Sequence, residues 1–207
     1  MKIMNLLQLI SKNNLLKFSL VFITIFFISL NAQSEIPEKY KIESSLKKCK
    51  GTDYRKWNNC YGEYEFPRIE YKGEWKKGAM HGKGILKEAW GDIFVGNFIE
   101  NKANGFGRTD VLMNGEYTGY YEGEFKNDLP HGKGVLEEFG RLIYEGEFAE
   151  GYPNGKGSME WYDGTKYIGD FKEFESHGTG TMEFPNGDSF SGEFSKNMMK
   201  NGIYKYK

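Results

Sequence analysis

From Tyr71 onward an aromatic, a glycine and a second aromatic recur at offsets 0, 2 and 4. The six occurrences are Tyr71, Gly73, Trp75; Phe94, Gly96, Phe98; Tyr121, Gly123, Phe125; Tyr144, Gly146, Phe148; Tyr167, Gly169, Phe171; and Phe190, Gly192, Phe194. A period of two predicts a strand with these three positions on one face. The offset-3 residue (Glu74, Asn97, Glu124, Glu147, Asp170, Glu193) then points to the opposite, wet face. Glutamate is a poor strand interior residue, so this column makes sense only on an exposed side. The missing glycine side chain leaves room for neighbouring rings to pack over the backbone.

The steps between starts are 23, 27, 23, 23 and 23 residues. The long step is explained by a four-residue insertion near 117–120, after which the register resumes. About ten residues after each start comes a His/Asn-Gly-x-Gly element, with Gly82 and Gly84, Gly105 and Gly107, Gly132 and Gly134, Gly155 and Gly157, and Gly178 and Gly180. A β-prone stretch follows, then a turn at Trp90-Gly91-Asp92, Asn114-Gly115, Asp163-Gly164 or Asn186-Gly187. Asn-Gly and Asp-Gly favour type I′ hairpin turns, in which both central residues need positive φ. Each unit therefore reads as strand, glycine-containing turn at His/Asn-Gly-x-Gly, strand, tight turn. One hairpin is marginal alone. Six in a row can share one aromatic layer, each touching only its neighbours. The expected fold is all-β, an elongated antiparallel sheet of stacked β-hairpins. Sheet ends need protection from edge pairing. Residues Cys49 to Pro67, which echo half a unit, are a candidate N-terminal cap, and the lysines of Asn201–Lys207 suit edge blocking.

The pattern of aromatic-x-Gly-Glu-Phe, His/Asn-Gly-x-Gly and an Asn/Asp-Gly turn at a 23-residue period resembles the MORN repeat. The likeness covers about residues 60 to 207, with five good copies and one truncated. It departs from the family at the insertion, at Asn97, and at Lys200-Asn201-Gly202, which lacks the second glycine. The resemblance implies a sheet of hairpins without intrinsic catalysis, used for scaffolding, self-association, and contact with proteins or membranes.

The first 34 residues are different in kind. Lys2, Lys12 and Lys17, with no acidic residue, precede an apolar run from Phe18 to Leu30. That length fits a signal peptide's hydrophobic core better than a membrane span of roughly 20 residues. Ala32 and Ser34 offer a cleavage site before Glu35, with cleavage after Ala32 as an alternative; an uncleaved N-terminal anchor, a hydrophobic helix lengthened by Leu15 and Leu16, is the other reading. Either places the remainder outside the cytoplasm, periplasmic or secreted. The chain then divides into 1–34 (signal or anchor), 35–60 (linker and cysteine-containing cap) and 61–207 (repeat array).

Composition changes the picture in three places. Glycine is 27 of 207 residues against only 5 prolines, with 14 Tyr, 16 Phe and 4 Trp, which suits many tight turns between short strands. Removing 1–34 leaves 25 basic against 29 acidic side chains, a net charge near −4, which argues against nucleic acid as a partner and against simple attraction to anionic lipid. Cys49 and Cys60 form a plausible disulfide in an oxidising compartment, the alternative being two free thiols; two thiols alone do not complete a zinc site.

Candidate chemistry is sparse. His81, His131 and His177 share one repeat offset in alternate units, roughly 19 Å apart at about 4.8 Å per strand, too far for one metal ion. The acidic column would space its members near 10 Å, beyond a retaining carboxylate pair, and with Lys83, Lys133 and Lys156 facing outward surface ion pairs are the simpler use. No nucleophile motif or P-loop is present, and the glycine doublets open no helix. Trp90, Tyr120, Phe139, Trp161 and Phe174 have no clear place on the buried layer; exposed together they would suit a partner. The expectation is a non-enzymatic scaffold without cofactors, binding an unidentified protein or itself in the cell envelope or secreted space. The alternative is association with membrane lipid.

Overall fold

A computed structural model describes residues 40–113 and 116–207. The signal or anchor expected over 1–34 and the turn expected at Asn114-Gly115 lie outside these residues. The described chain is an open antiparallel sheet of thirteen strands whose spatial order is their sequence order. The strands are β1 (Cys60–Phe66), β2 (Ile69–Lys76), β3 (Ala79–Glu88), β4 (Ile93–Ile99), β5 (Lys102–Met113), β6 (Glu116–Lys126) and β7 (Leu129–Glu138). They continue as β8 (Leu142–Ala149), β9 (Tyr152–Trp161), β10 (Lys166–Lys172), β11 (Glu175–Glu183), β12 (Ser189–Ser195) and β13 (Met198–Lys205). Every strand pairing is between sequence neighbours, as expected when each hairpin's loops are short.

One glycine from each strand pairs with the next, giving an unbroken row from Gly62 through Gly73, Gly84 and so on to Gly202. The reason is space. A Cβ on Gly146 or Gly157 would meet the Tyr144 hydroxyl at 2.4 and 2.5 Å. Phe94 lies over Gly96 and Gly107 in the same way. Each first-strand ring thus rests on two backbones, and Tyr71, Tyr121, Tyr144 and Tyr167 are fully buried.

The rings themselves form a ladder. Tyr144 packs edge-on against Phe148 of its own unit at 5.1 Å and against Phe171 of the next at 4.9 Å. Tyr71, Phe94, Tyr121 and Tyr167 repeat this arrangement with their own and following second aromatics. Edge-to-face pairs at this separation are the favoured aromatic geometry.

The turns differ from expectation. The His/Asn-Gly-x-Gly elements are not turns but strand interior, where Gly82, Gly132, Gly155 and Gly178 sit at positive φ in β-bulges that shift the register between Gly73 and Trp75, Gly123 and Glu124, Gly146 and Phe148, and Gly169 and Asp170. The first turn lies earlier, at Lys77-Gly78, Glu100-Asn101, Asn127-Asp128, Glu150-Gly151, Glu173-Phe174 and Lys196-Asn197, with both residues at positive φ. These are the type I′ turns. At Trp90-Gly91, Asp163-Gly164 and Asn186-Gly187 only the glycine has positive φ. Its N–H donates to the carbonyl three residues back, as in Gly187 to Phe184 at 2.8 Å. That is a type I turn closed by a glycine bulge, one residue longer than a type I′ loop.

The terminal unit is also read differently. Gly202 stands in the glycine row opposite Gly192, so it is the bulge glycine that is absent. Phe194 pairs with Met199, three residues before the row glycine, where Trp75 pairs with Met80, four before Gly84. The insertion lengthens the β5–β6 hairpin without interrupting the row at Gly107 and Gly123.

Residues before β1 fold back against it. Cys49 and Cys60 are joined by a disulfide with Cα atoms 4.9 Å apart. Lys48 bridges Tyr61 in parallel, with the Cys49 N–H donating to the Tyr61 carbonyl at 2.7 Å. Trp57 covers Gly62 and packs edge-on against Trp75 at 5.1 Å.

Candidate interaction surface

The face opposite the rings carries the functional candidates. Its central column runs Lys72, Ile85, Val95, Arg108, Glu122, Val135, Glu145, Ser158, Ile168, Thr181, Ser191 and Ile203, each paired with the next. Beside it lie the acidic column and its lysines. Among the described residues no group of three His, Cys, Asp or Glu side chains converges on one point, and no helix is long and apolar enough to cross a membrane.

The acidic column is on this face, yet it is not merely solvated. The bulge turns the N–H of the residue after Gly82, Gly132, Gly155 or Gly178 outward, and a carboxylate of the preceding strand accepts it. Glu124 accepts from Lys133 at 3.1 Å, Glu147 from Lys156 at 3.0 Å and Asp170 from Thr179 at 2.8 Å; Glu74 and Lys83 make the weakest of these contacts at 3.4 Å. Asn97, in the unit without a carboxylate here, instead donates to the Phe106 carbonyl at 3.2 Å. Of the outward lysines, Lys156 pairs with Asp170 at 2.5 Å. That contact and the Thr179 N–H hold the Asp170 carboxyl below its usual range.

The same elements engage the tyrosines from beneath. Their hydroxyls cross the glycine row and donate to the carbonyls of Glu74, Glu124, Glu147 and Asp170 at 2.8–3.0 Å. His81, His131 and His177 contribute a second carbonyl to three of them, at 3.5, 3.4 and 3.1 Å. These histidines are therefore used through their backbone. Burial pushes the phenols of Tyr71, Tyr121 and Tyr144 far above the ordinary value, the adjacent carboxylates adding to it. Tyr167 is pushed up to about 12 by the same two causes.

One feature of this surface had no signal in the repeat pattern. Residues 40–48 lie across it. The Tyr40 hydroxyl donates to Asp110 on β5, and Ser44 donates to Glu74 on β2 at 2.7 Å. Between these anchors the strap spans β3 and β4, whose outer-face residues Ile85 and Ile93 are 1 % and 4 % exposed. Asp110 also accepts from Arg108 at 2.7 Å, and the Arg108 guanidinium pairs with Glu122 at 2.9 Å and lies 3.7 Å over the Tyr120 ring. Against the cost of burial, those two carboxylates raise the Arg108 pKa.

Beyond the strap the surface is open. A groove of about 1370 Å³ runs over β5–β12, lined among others by Phe106, Tyr120, Val135, Lys156, Ile168 and Thr181. Phe106 and Ile168 are 60 % and 63 % exposed. The remaining aromatics singled out from the sequence divide between surface and core. Trp90 and Phe139 are exposed at the hairpin tips, whereas Trp161 and Phe174 pack against the core.

An open sheet of consecutive hairpins, pinned by a ring-and-glycine ladder and presenting one grooved face, is a linear repeat array. The MORN repeat family model matches residues 71–93, 94–109, 121–137, 144–166 and 167–189, and the chain belongs to this family. MORN repeats are non-enzymatic modules that generally mediate contacts with proteins or membranes. The sheet carries strands beyond the matched segments at both ends, β1 before them and β13 after. Alsin from Homo sapiens and Alsin from Rattus norvegicus are each 38 % identical to this chain over 64 residues, 28 % of this chain and 4 % of their own length. The chain thus spans only a small part of the curated relatives it matches.

Proposed function

We propose that the protein is an exported, non-catalytic scaffold that holds an extended segment of a partner protein in the groove over β5–β12. The observation that carries this reading is the strap. The chain's own residues 40–48 already lie on this face, hydroxyls on Asp110 and Glu74, over Ile85 and Ile93. The same face continues past Tyr40 with apolar and hydroxyl groups uncovered. An extended polypeptide is the ligand chemistry that matches: apolar side chains for Phe106 and Ile168, polar groups for Lys156 and Thr181. In this reading residues 1–34 are removed as a signal, 35–60 form strap and cap, and 61–207 are the array. The Cys49–Cys60 bond suits an oxidising compartment. Affinity capture of the tagged chain from cross-linked cells, beside a Phe106→Arg/Ile168→Arg variant, tests it. A stoichiometric protein recovered with the parent and lost with the variant is expected; equal recovery with both counts against the groove. Intact-mass measurement of the exported chain should find it beginning at Glu35.

A membrane reading has its own observation. Trp90, Phe139 and Tyr162, 44 %, 67 % and 83 % exposed, project from hairpin tips along one edge, where aromatic rings suit a bilayer interface. Flotation of the mature chain with liposomes, abolished by Phe139→Ser/Tyr162→Ser, would favour lipid over a protein partner.

A further inference from the structure

The groove over β5–β12 is a trench that runs across the strands. Its floor is the glycine row, whose backbones from Gly123 to Gly192 line it. Its walls are the outward residues on either side of that row. One wall carries Glu122, Val135, Glu145, Ser158, Ile168 and Thr181, each paired with the next. The other carries Phe106, Lys133, Glu147, Lys156 and Thr179. The walls stand two residues apart along each strand, about 7 Å.

These dimensions select a chain conformation. An α-helix with its side chains is about 10–12 Å across and does not enter a trench this narrow. A β-strand is stabilised by ladder hydrogen bonds, yet the N–H and C=O groups of the floor are already paired with neighbouring strands. Side chains on one face of a strand also recur about every 6.8 Å, whereas equivalent positions of the trench recur every two strands, about 9.6 Å. A strand is therefore out of step at the next unit. A polyproline-II chain needs no ladder, and its side chains return to one face every three residues, about 9.3 Å. It stays in step from unit to unit.

We infer that the groove holds a polyproline-II segment that advances three residues per repeat, with a lysine or arginine set against Glu145. The inference rests on the reading of the groove as a polypeptide site and adds the conformation and charge of what it takes. The charge follows from the walls. Lys156 is drawn to Asp170, and the Arg108 guanidinium is shared between Asp110 and Glu122. Glu145 stands exposed between them and has no ion pair among the described residues, so a cation on the ligand complements it. One unit further along the same wall the equivalent residue is Ile168, 63 % exposed. The ligand residue three places from the cation is therefore aliphatic. Residues 40–48 take a different path. They cross the glycine row obliquely, from Glu74 on one side to Asp110 on the other, and do not meet the units in step.

Fluorescence anisotropy of the full chain with labelled peptides tests it. The first probe is Pro-Pro-Lys-Pro-Pro-Lys-Pro-Pro-Leu-Pro-Pro, made also in the reverse order. The second, Pro-Pro-Pro-Lys-Pro-Lys-Pro-Leu-Pro-Pro-Pro, keeps the composition and breaks the spacing. The third replaces every proline of the first with glycine. The first, in one of its two orders, should bind about tenfold or more tighter than the glycine peptide, which must lose chain entropy to bind, and tighter than the respaced one. Glu145→Gln should weaken it by about threefold or more with the thermal melt of the chain retained. Equal binding of all three peptides leaves the groove a polypeptide site but overturns the proposal, as does binding of the first unaffected by Glu145→Gln. Binding of none overturns it too, and capture with the Phe106→Arg/Ile168→Arg variant then decides separately whether the groove takes a protein at all.

Discussion

At Gly157 the fold depends on the absence of a single methyl group. A Cβ there would stand 2.5–2.7 Å from the Tyr144 ring and hydroxyl. The ring is held between two units and cannot retreat, since Phe148 and Phe171 abut it. Gly157→Ala should therefore cost about 3 kcal/mol or more in urea unfolding, in the range where overpacking meets lost contacts. Tyr144→Phe keeps the ring and loses only the 2.9 Å bond to the Glu147 carbonyl, so it should cost about 1 kcal/mol. Phe94, which occupies the same position in its unit, shows that the ladder closes without the hydroxyl. The tyrosines also set the alkaline limit. Their folded-state pKa values lie above the ordinary 10, with Tyr167 at about 12. The folded form therefore keeps protons that the unfolded chain gives up, so this stability is full below pH 10 and declines as pH rises from 10 through 12. Denaturant midpoints measured from pH 8 to 12 beside tyrosinate absorbance should fall over that window, and the fall should begin before the buried phenols ionise.

At the scale of the hairpin, turn chemistry is where sequence and structure part. Asn-Gly and Asp-Gly pairs were the visible turn signals, yet the type I′ turns fall on pairs such as Glu150-Gly151 and Glu173-Phe174. What places them is the bulge. By adding two residues to the second strand between the row glycine and the turn, it sets Phe148 opposite Pro153, four before Gly157, while Gly132 faces Phe148 from the preceding strand. The turn then closes on whatever residues remain, including Glu150 at φ 51° and Phe174 at φ 72°. Such strain is tolerated because the strands on either side over-determine it. Glu150→Asn relieves it with a residue that favours this conformation. It should stabilise by about 0.5–1 kcal/mol, visible as a rise of about 2–4 °C in a thermal melt.

Across the whole molecule stability is local. Each strand is hydrogen-bonded only to its neighbours in order, and its rings reach no further than the next unit, so a perturbation at one end should not travel far. The Cys49–Cys60 bond tethers the strap to β1, and in the chain-entropy description a loop this short contributes about 2–3 kcal/mol. Cys49→Ser/Cys60→Ser should accelerate amide exchange in β1 and β2, including Tyr61 and Gly62, and leave β8–β10 unchanged. Equal acceleration everywhere would mean that the array unfolds as one unit.

Much of this architecture was legible in the 23-residue period because each repeated residue type answers a local geometric demand: a ring that needs two bare backbones, a glycine that provides one, a carboxylate beside a turned-out N–H. The sequence determined the all-β class, the order of units, the face of the rings and the place of the insertion, since period-two alternation assigns faces without knowledge of distant residues. It did not determine which glycine pair would bulge, because a glycine-rich strand and a glycine-rich turn have the same composition. Nor could it place residues 40–48, which follow no period and find Asp110 and Glu74 only after the sheet has formed. The strap over the first units and the open groove beyond it were decided by tertiary structure, because each depends on what covers a position, and a repeat pattern is the same whether a unit is covered or bare.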